Sequence, residues 1–296
     1  MKKILKIETP QTPLPLVLDS PHSGHDYPAD FLDNARFTAD ALRKYEDNYI
    51  DDIFSGAPKL GAAFLCALFP RTYIDPNRAI DDIDPELLAA PWPEDKYGLI
   101  NPTIRSKNGH GIIRRLLSED IELHKRKLST AEIMHRITEY YAPYHNALAD
   151  LLDRAHKDFG AVWHINCHSM PSRSAIPNTP LKLIGNTRAP VDFCIGDRSG
   201  TTSGKDFTHM LRDFLKAKGY RVSINDPYQG VELVQRYSDP LRGRHSVQLE
   251  INKALYMNER TDEKTSGYDA LKRDMNDLVA HTADYIEAKL VPLAAD

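Results

Sequence analysis

Apolar runs of strand length that break off into polar loops recur along this chain, with helically spaced stretches between them. LPLVLD (14–19), AVWHIN (161–166) and SVQLEIN (246–252) each read as a buried strand. Strands alternating with helices imply an α/β protein whose sheet is mostly parallel and covered on both faces. In open sheets of that kind ligands gather outside the strand ends. Near three such ends stand Pro21-His22-Ser23-Gly24, Asn166-Cys167-His168-Ser169 and Gln248-Leu249-Glu250. Two histidines and one carboxylate gathered at a sheet edge are the raw material of a hydrolytic zinc site.

The remaining pattern fills in the alternation. TADALRKYEDNYIDDIFSGA (38–57) reads as one helix, GAAFLCALF (61–69) as a central strand, and RTYID (71–75) as a strand pairing with or continuing beside it. From Asp81 to Gly111 proline and acid dominate without a sustained period, as in a long ordered loop or flap. The helix 129–160 opens on a capping box, Ser129 with Glu132, stops at Gly160, and should kink at Pro143. LKLIGN (181–186), VDFCIGD (191–197) and YRVSIN (220–225) read as further strands, and 203–218 and about 266–290 as helices. Without repeats or a Gly/Ser linker, residues 1–296 are expected to form one catalytic domain.

Composition narrows the partners. A net charge of -4 on 296 residues offers no electrostatic reason to expect nucleic acid or a membrane surface, which leaves a small-molecule substrate and an undetermined oligomeric state. No run approaches the roughly 20 apolar residues of a membrane helix. Three cysteines without CxxC spacing read as reduced thiols, and the start of the chain lacks the pattern of a signal peptide, so a cytoplasmic protein is expected.

A loop histidine such as His22 is commonly just a solvated side chain, but here it follows a buried strand, and His168 repeats the placement. Glu250 at a strand end needs a cation, a metal or a job, because burying an unpaired carboxylate is costly; the bland alternative is an ion pair with Arg244 or Arg236. Asn77-Arg78 pairs an amide with a planar guanidinium suited to gripping a carboxylate, or is a turn with a surface arginine. Asp47 alone would be an ordinary acid, with Glu46 and Asp51 beside it. Gly196-Asp197-Arg198-Ser199-Gly200 lacks the spacing of a phosphate loop, so a nucleotide site is rejected.

DSPHSGHDYP, EDNYID, YIDPNR, the GHGII turn, RITEYYAPYHNAL, INCHSMP, IGDRSG and HSVQLEINKALYMNE follow one another in an ordered series that resembles the N-formylglutamate amidohydrolase family over most of the chain. That family is similar to zinc carboxypeptidases and aspartoacylase-type deacylases, which implies a three-layer α/β/α fold around an eight-stranded mixed sheet. The resemblance implies zinc, or another divalent transition metal, on His22 and His168, with Asn77 and Arg78 as a carboxylate clamp and Glu250 as general base. The carboxypeptidase pattern His-x-x-Glu is replaced here by His22-x-x-His25, so the resemblance implies Asp47 as third ligand, with His25 and then Glu46 behind it. A second departure is Asn166, standing where an aspartate usually precedes the His-Ser pair.

The implied reaction is hydrolysis of an N-acyl amino acid such as N-formyl-L-glutamate by a metal-activated water, with Arg236 or Arg78 stabilising the oxyanion. Two competing readings are a Cys167 or Ser169 nucleophile paired with His164 or His168, and a binding protein without catalysis. The first is weakened by strand alternation, which turns Cys167 away from the face of His168.

Overall fold

The computed structural model describes residues 3–118, 120–178 and 189–290. Nine strands lie among the described residues: β1 (Leu5–Glu8), β2 (Leu16–Ser20), β3 (Ala63–Ala67), β4 (Leu116–Ser118), β5 (Ile121–Glu122), β6 (Val162–Met170), β7 (Phe193–Gly196), β8 (Val222–Ile224) and β9 (Arg244–Asn252). Strands β4 and β5 form a small antiparallel ribbon, and the other seven make one sheet in the order β1-β3-β2-β6-β9-β7-β8. The β2–β6, β6–β9 and β7–β8 pairs are parallel and β7–β9 is antiparallel, so the sheet is mixed and mostly parallel, as the alternation implied. All nine residues of β6 are buried, which a strand achieves only when both sheet faces are covered. The resemblance implied eight strands; the described residues supply seven in this sheet, and the expected strand LKLIGN lies outside them.

By internal contacts the chain divides into two compact units. The first contains Met1–Lys6, Pro21–Asn48 and Cys66–Leu148. Most of the expected long helix belongs to it: Thr130–Arg136, a π-helical turn Ile137–Tyr141, then Ala142–Phe159, opened by the expected Ser129–Glu132 capping box. Pro143 lacks an N–H and its ring crowds the carbonyl one turn earlier, and the widened turn before it takes up the strain expected as a kink. This helix grips the segment 73–78. Arg136 donates to the Tyr73 carbonyl at 2.9 Å, Tyr141 to that of Arg78 at 2.9 Å, and His145 to that of Pro76 at 2.9 Å.

The second unit contains Ile7–Ser20, Tyr49–Leu65 and Ala149–Asp296, with most of the sheet. Its helices Lys205–Ala217 and Tyr268–Leu290 fall where the periodicity placed them, and the first ends at Lys218 before Gly219 at φ 94. None of the described helices is long and apolar enough to cross a membrane.

Two expectations are corrected. The helix read over 38–57 is two short pieces, Ala39–Arg43 and Ile50–Ile53. Between them Glu46, Asp47 and Asn48 are buried, and the Asp47 amide bonds the His22 carbonyl at 2.9 Å instead of continuing the helix. Residues 71–75 form a turn rather than a strand, because the Arg71 amide donates to the Glu46 carboxylate at 2.9 Å and Tyr73 closes back on the Pro70 carbonyl. The stretch from Asp81 to Gly111 is ordered, with short helical turns at Pro85–Leu87, Glu94–Tyr97 and Ile104–Lys107.

Candidate functional site

His22 sits on the loop leaving β2. Gly24 lets that loop pass against its neighbour, since a Cβ there would meet the Leu68 carbonyl carbon at 2.3 Å. The ring is held by carboxylates: Nε2 donates to Asp75 Oδ1 at 2.7 Å, and Nδ1 faces Asp47 Oδ2 at 3.3 Å. Because a carboxylate can only accept, Nε2 is the nitrogen that donates to Asp75, which leaves Nδ1 as the nitrogen turned toward Asp47. Asp75 also accepts from the Asn77 amide at 2.9 Å and from Arg71 Nη2 at 2.9 Å. Burial favours its neutral form, but His22, Arg71 and Arg78 overcome that and hold the carboxyl well below the usual carboxylate range. Arg71 also reaches Asp47 Oδ1 at 3.5 Å.

The two rival third ligands are engaged elsewhere. His25 is exposed and bonds the Ser23 carbonyl at 3.4 Å. Glu46 accepts from Thr72 Oγ1 at 2.7 Å, and burial pushes its carboxyl up to about 7, a rise that Thr72 and Arg71 only partly offset. Asn77 and Arg78 lie side by side, both buried. Arg78 donates through Nε to the His110 carbonyl at 3.3 Å and through Nη1 to the Asn77 carbonyl at 2.8 Å, and among the described residues no carboxylate forms an ion pair with it.

In the second unit His168 and Glu250 are register partners on β6 and β9, so their side chains neighbour each other on one sheet face. Asn166 orients the histidine: its Nδ2 donates to Asp19 Oδ1 at 2.7 Å, so its Oδ1 is the atom that accepts from His168 Nε2 at 2.7 Å. His168 therefore presents Nδ1, as His22 does. An aspartate at 166 would set a second carboxylate against Asp19, so the asparagine is a requirement of this chain's own relay. Asp19 also accepts from His164 Nε2 at 2.9 Å. Gln248 Nε2 donates to Glu250 Oε1 at 2.7 Å. Glu250 is buried and forms none of the ion pairs with Arg244 or Arg236 that the bland reading required: Arg244 pairs with Asp153 and Arg236 with Glu232. Arg236 is half-exposed at the end of the helix Glu232–Arg236. Cys167 lies on the strand face opposite His168, its thiol directed at the Ile165 carbonyl.

The donor atoms of His22, Asp47 and His168 all lie within 4.8 Å of one another and all three residues are buried, a group that could hold a metal ion. Two imidazoles each fixed at Nε2 by an acceptor, together with a carboxylate, form the donor set of a hydrolytic zinc centre with an open position. Asp75 and Arg71 were missed as supporting residues. Asp75 heads the same Asp-Pro-Asn-Arg turn that drew attention to Asn77 and Arg78, and the acid beginning that turn is the one local signal for it.

Fold and donor set together define the class: an α/β protein with a buried His–Asp–His group of metal-binding type. The model of the N-formylglutamate amidohydrolase family matches residues 14–257, and the chain belongs to that family. It is 30% identical over 264 residues to an N-formylglutamate deformylase of Pseudomonas putida, covering 88% of this chain and 87% of that protein. To the N-formylglutamate deformylase of Pseudomonas aeruginosa it is 27% identical over 254 residues, covering 83% and 84%. The crystal structure of N-formylglutamate amidohydrolase from Ralstonia eutropha JMP134 superposes with a TM-score of 0.88 at 40% identity, covering 97% of this chain and 99% of that one.

Proposed function

We propose that this protein is a metal-dependent amidohydrolase that cleaves N-formyl-L-glutamate, with water, into formate and glutamate. The names of the Pseudomonas relatives support the substrate, and the observation that carries the chemistry is the buried His22–Asp47–His168 group. That donor set suits zinc, or another divalent transition metal, better than magnesium or calcium. Bound there, the ion supplies Lewis-acid polarisation of the amide carbonyl and brings the pKa of a water down to roughly 7.

The chain's own residues do the rest. Glu250, beside His168 in register, takes the proton of the attacking water and returns it to the leaving amine. Gln248 holds that carboxylate at Oε1 and so fixes its orientation. Asn77 and Arg78 clamp the substrate's α-carboxylate, Arg78 through the guanidinium donors that the two carbonyls leave over. For the developing oxyanion, Arg236 and Arg78 are joined as candidates by Arg71, which already stands beside Asp47. Three free, buried cysteines support a reducing, cytoplasmic setting.

Formate release from N-formyl-L-glutamate by purified wild type and Glu250→Gln tests this reading. Turnover by wild type is expected, with kcat in the variant lower by on the order of 10² to 10⁴-fold at unchanged metal content and Tm. A wild-type protein that hydrolyses no N-acyl amino acid, or a variant with unchanged kcat, would contradict it.

A further inference from the structure

The Arg78 clamp accounts for one negative charge on the substrate, yet a second cation stands close to it. The GHGII turn is folded tightly: Gly109 has φ +78, and a Cβ on Gly111 would come 2.5 Å from the Asp82 carbonyl oxygen. That turn pairs His110 with Arg114 in an antiparallel bridge, while the His110 carbonyl accepts from Arg78 Nε at 3.3 Å. Arg78 and Arg114 are thus attached to the same residue. The Arg114 backbone is fixed from the other side as well, since its carbonyl accepts from His124 Nε2 at 3.0 Å.

The Arg114 side chain is part-buried without being paired. Among the described residues no carboxylate forms an ion pair with it and no acceptor takes a hydrogen bond from its guanidinium. The acids whose charges it feels, Asp75 and Glu46, are bonded elsewhere: Asp75 to His22 and Arg71, Glu46 to Thr72 and the Arg71 amide. Burial, with Arg71 nearby, pushes the guanidinium down to about 10, and burial with Arg114, Arg78 and Arg105 around it pushes His110 down to about 4. A part-buried cation that no protein carboxylate neutralises, held next to a second one and still open to solvent, is an arrangement that an arriving anion completes.

We propose that Arg114 is a specificity-determining residue that receives the side-chain carboxylate of the substrate, so that the enzyme selects N-acyl derivatives of dicarboxylic amino acids. The inference rests on the deformylase reading above. Arg78 takes the α-carboxylate common to every N-acyl amino acid, and Arg114 takes the charge that only an acidic side chain adds.

N-formyl-L-glutamine is the matching neutral probe, because it has the shape of N-formyl-L-glutamate without the second charge. Wild type is expected to favour the glutamate compound in kcat/KM by on the order of 10 to 100-fold, the worth of one charged hydrogen-bonded contact. Arg114→Gln is expected to lose that preference, with KM for N-formyl-L-glutamate raised and kcat/KM for N-formyl-L-glutamine held within about threefold. Arg78→Gln should depress both substrates alike. Equal losses on both substrates in Arg114→Gln would overturn the assignment, as would a wild-type enzyme that turns over the two compounds equally, a result that needs no variant to fold. Failure of wild type to hydrolyse either compound would instead overturn the deformylase reading.

Discussion

Around His22 the supporting bonds are ionic and run through loops, whereas around His168 they form an amide relay set by strand register. His22 is fixed by Asp75, which is itself tied to Arg71, with buried Glu46 bonded to the Arg71 amide. His168 is fixed by Asn166, whose other end rests on Asp19, all on parallel neighbours β6 and β2. Both arrangements leave Nδ1 as the presented nitrogen, but they reach it at different cost. Charges buried in loops must compensate one another or lose their solvation, whereas an amide between two strands needs only its register.

The sharpest way to break this contrast is to cut each relay once and compare. Asp75→Asn removes the buried carboxylate that pairs with Arg71 and is expected to cost about 3 to 5 kcal/mol of unfolding free energy. Asn166→Ala leaves one donor and one acceptor unmet and should cost about 1 to 3 kcal/mol. Urea unfolding of metal-stripped proteins measures both. Equal losses, or a larger loss for Asn166→Ala, would show that the charged loop pairing and the amide link do not differ as described.

A smaller effect sharpens the same contrast through pH. Burial raises Glu46 from 4.5 to about 7, so the folded chain keeps a proton that the unfolded chain gives up above about 4.5. The contribution of Glu46 to metal-free stability is therefore expected to be fully present below about 4.5, to fall by roughly 3 kcal/mol as pH rises toward 7, and to level off above. Glu46→Gln should flatten that fall. A slope that survives unchanged in the variant would mean that some other group carries the titration.

The same contrast governs what the sequence reveals. Strands β2, β6 and β9 were legible because apolar periodicity is local, and His168 and Glu250 could be placed from it. The capping box at Ser129 was legible because its two bonds span three residues. The loop-borne half was only partly visible. His22 stood out and Asp47 entered only through the family resemblance, while Asp75 meets His22 across 53 residues of chain, and no period announces a pairing between loops. The helix misread over 38–57 has a single cause: Glu46 and Asp47 turn inward to bond Arg71, Thr72 and the His22 carbonyl, which overrides a local pattern that looks helical. Arg71 and Arg114 gain their importance from charges brought near them by folding alone.

The claim on which the chemistry depends is that both halves serve one metal ion, and metal content per chain by mass spectrometry tests it most directly. The expected result is about one divalent ion, zinc first, in wild type, with the ion lost from His22→Ala, Asp47→Ala and His168→Ala while the fold is kept. Loss of turnover in EDTA and its return on adding zinc should follow the same occupancy. Full occupancy in His168→Ala, or turnover that persists in metal-free protein, would contradict the assignment.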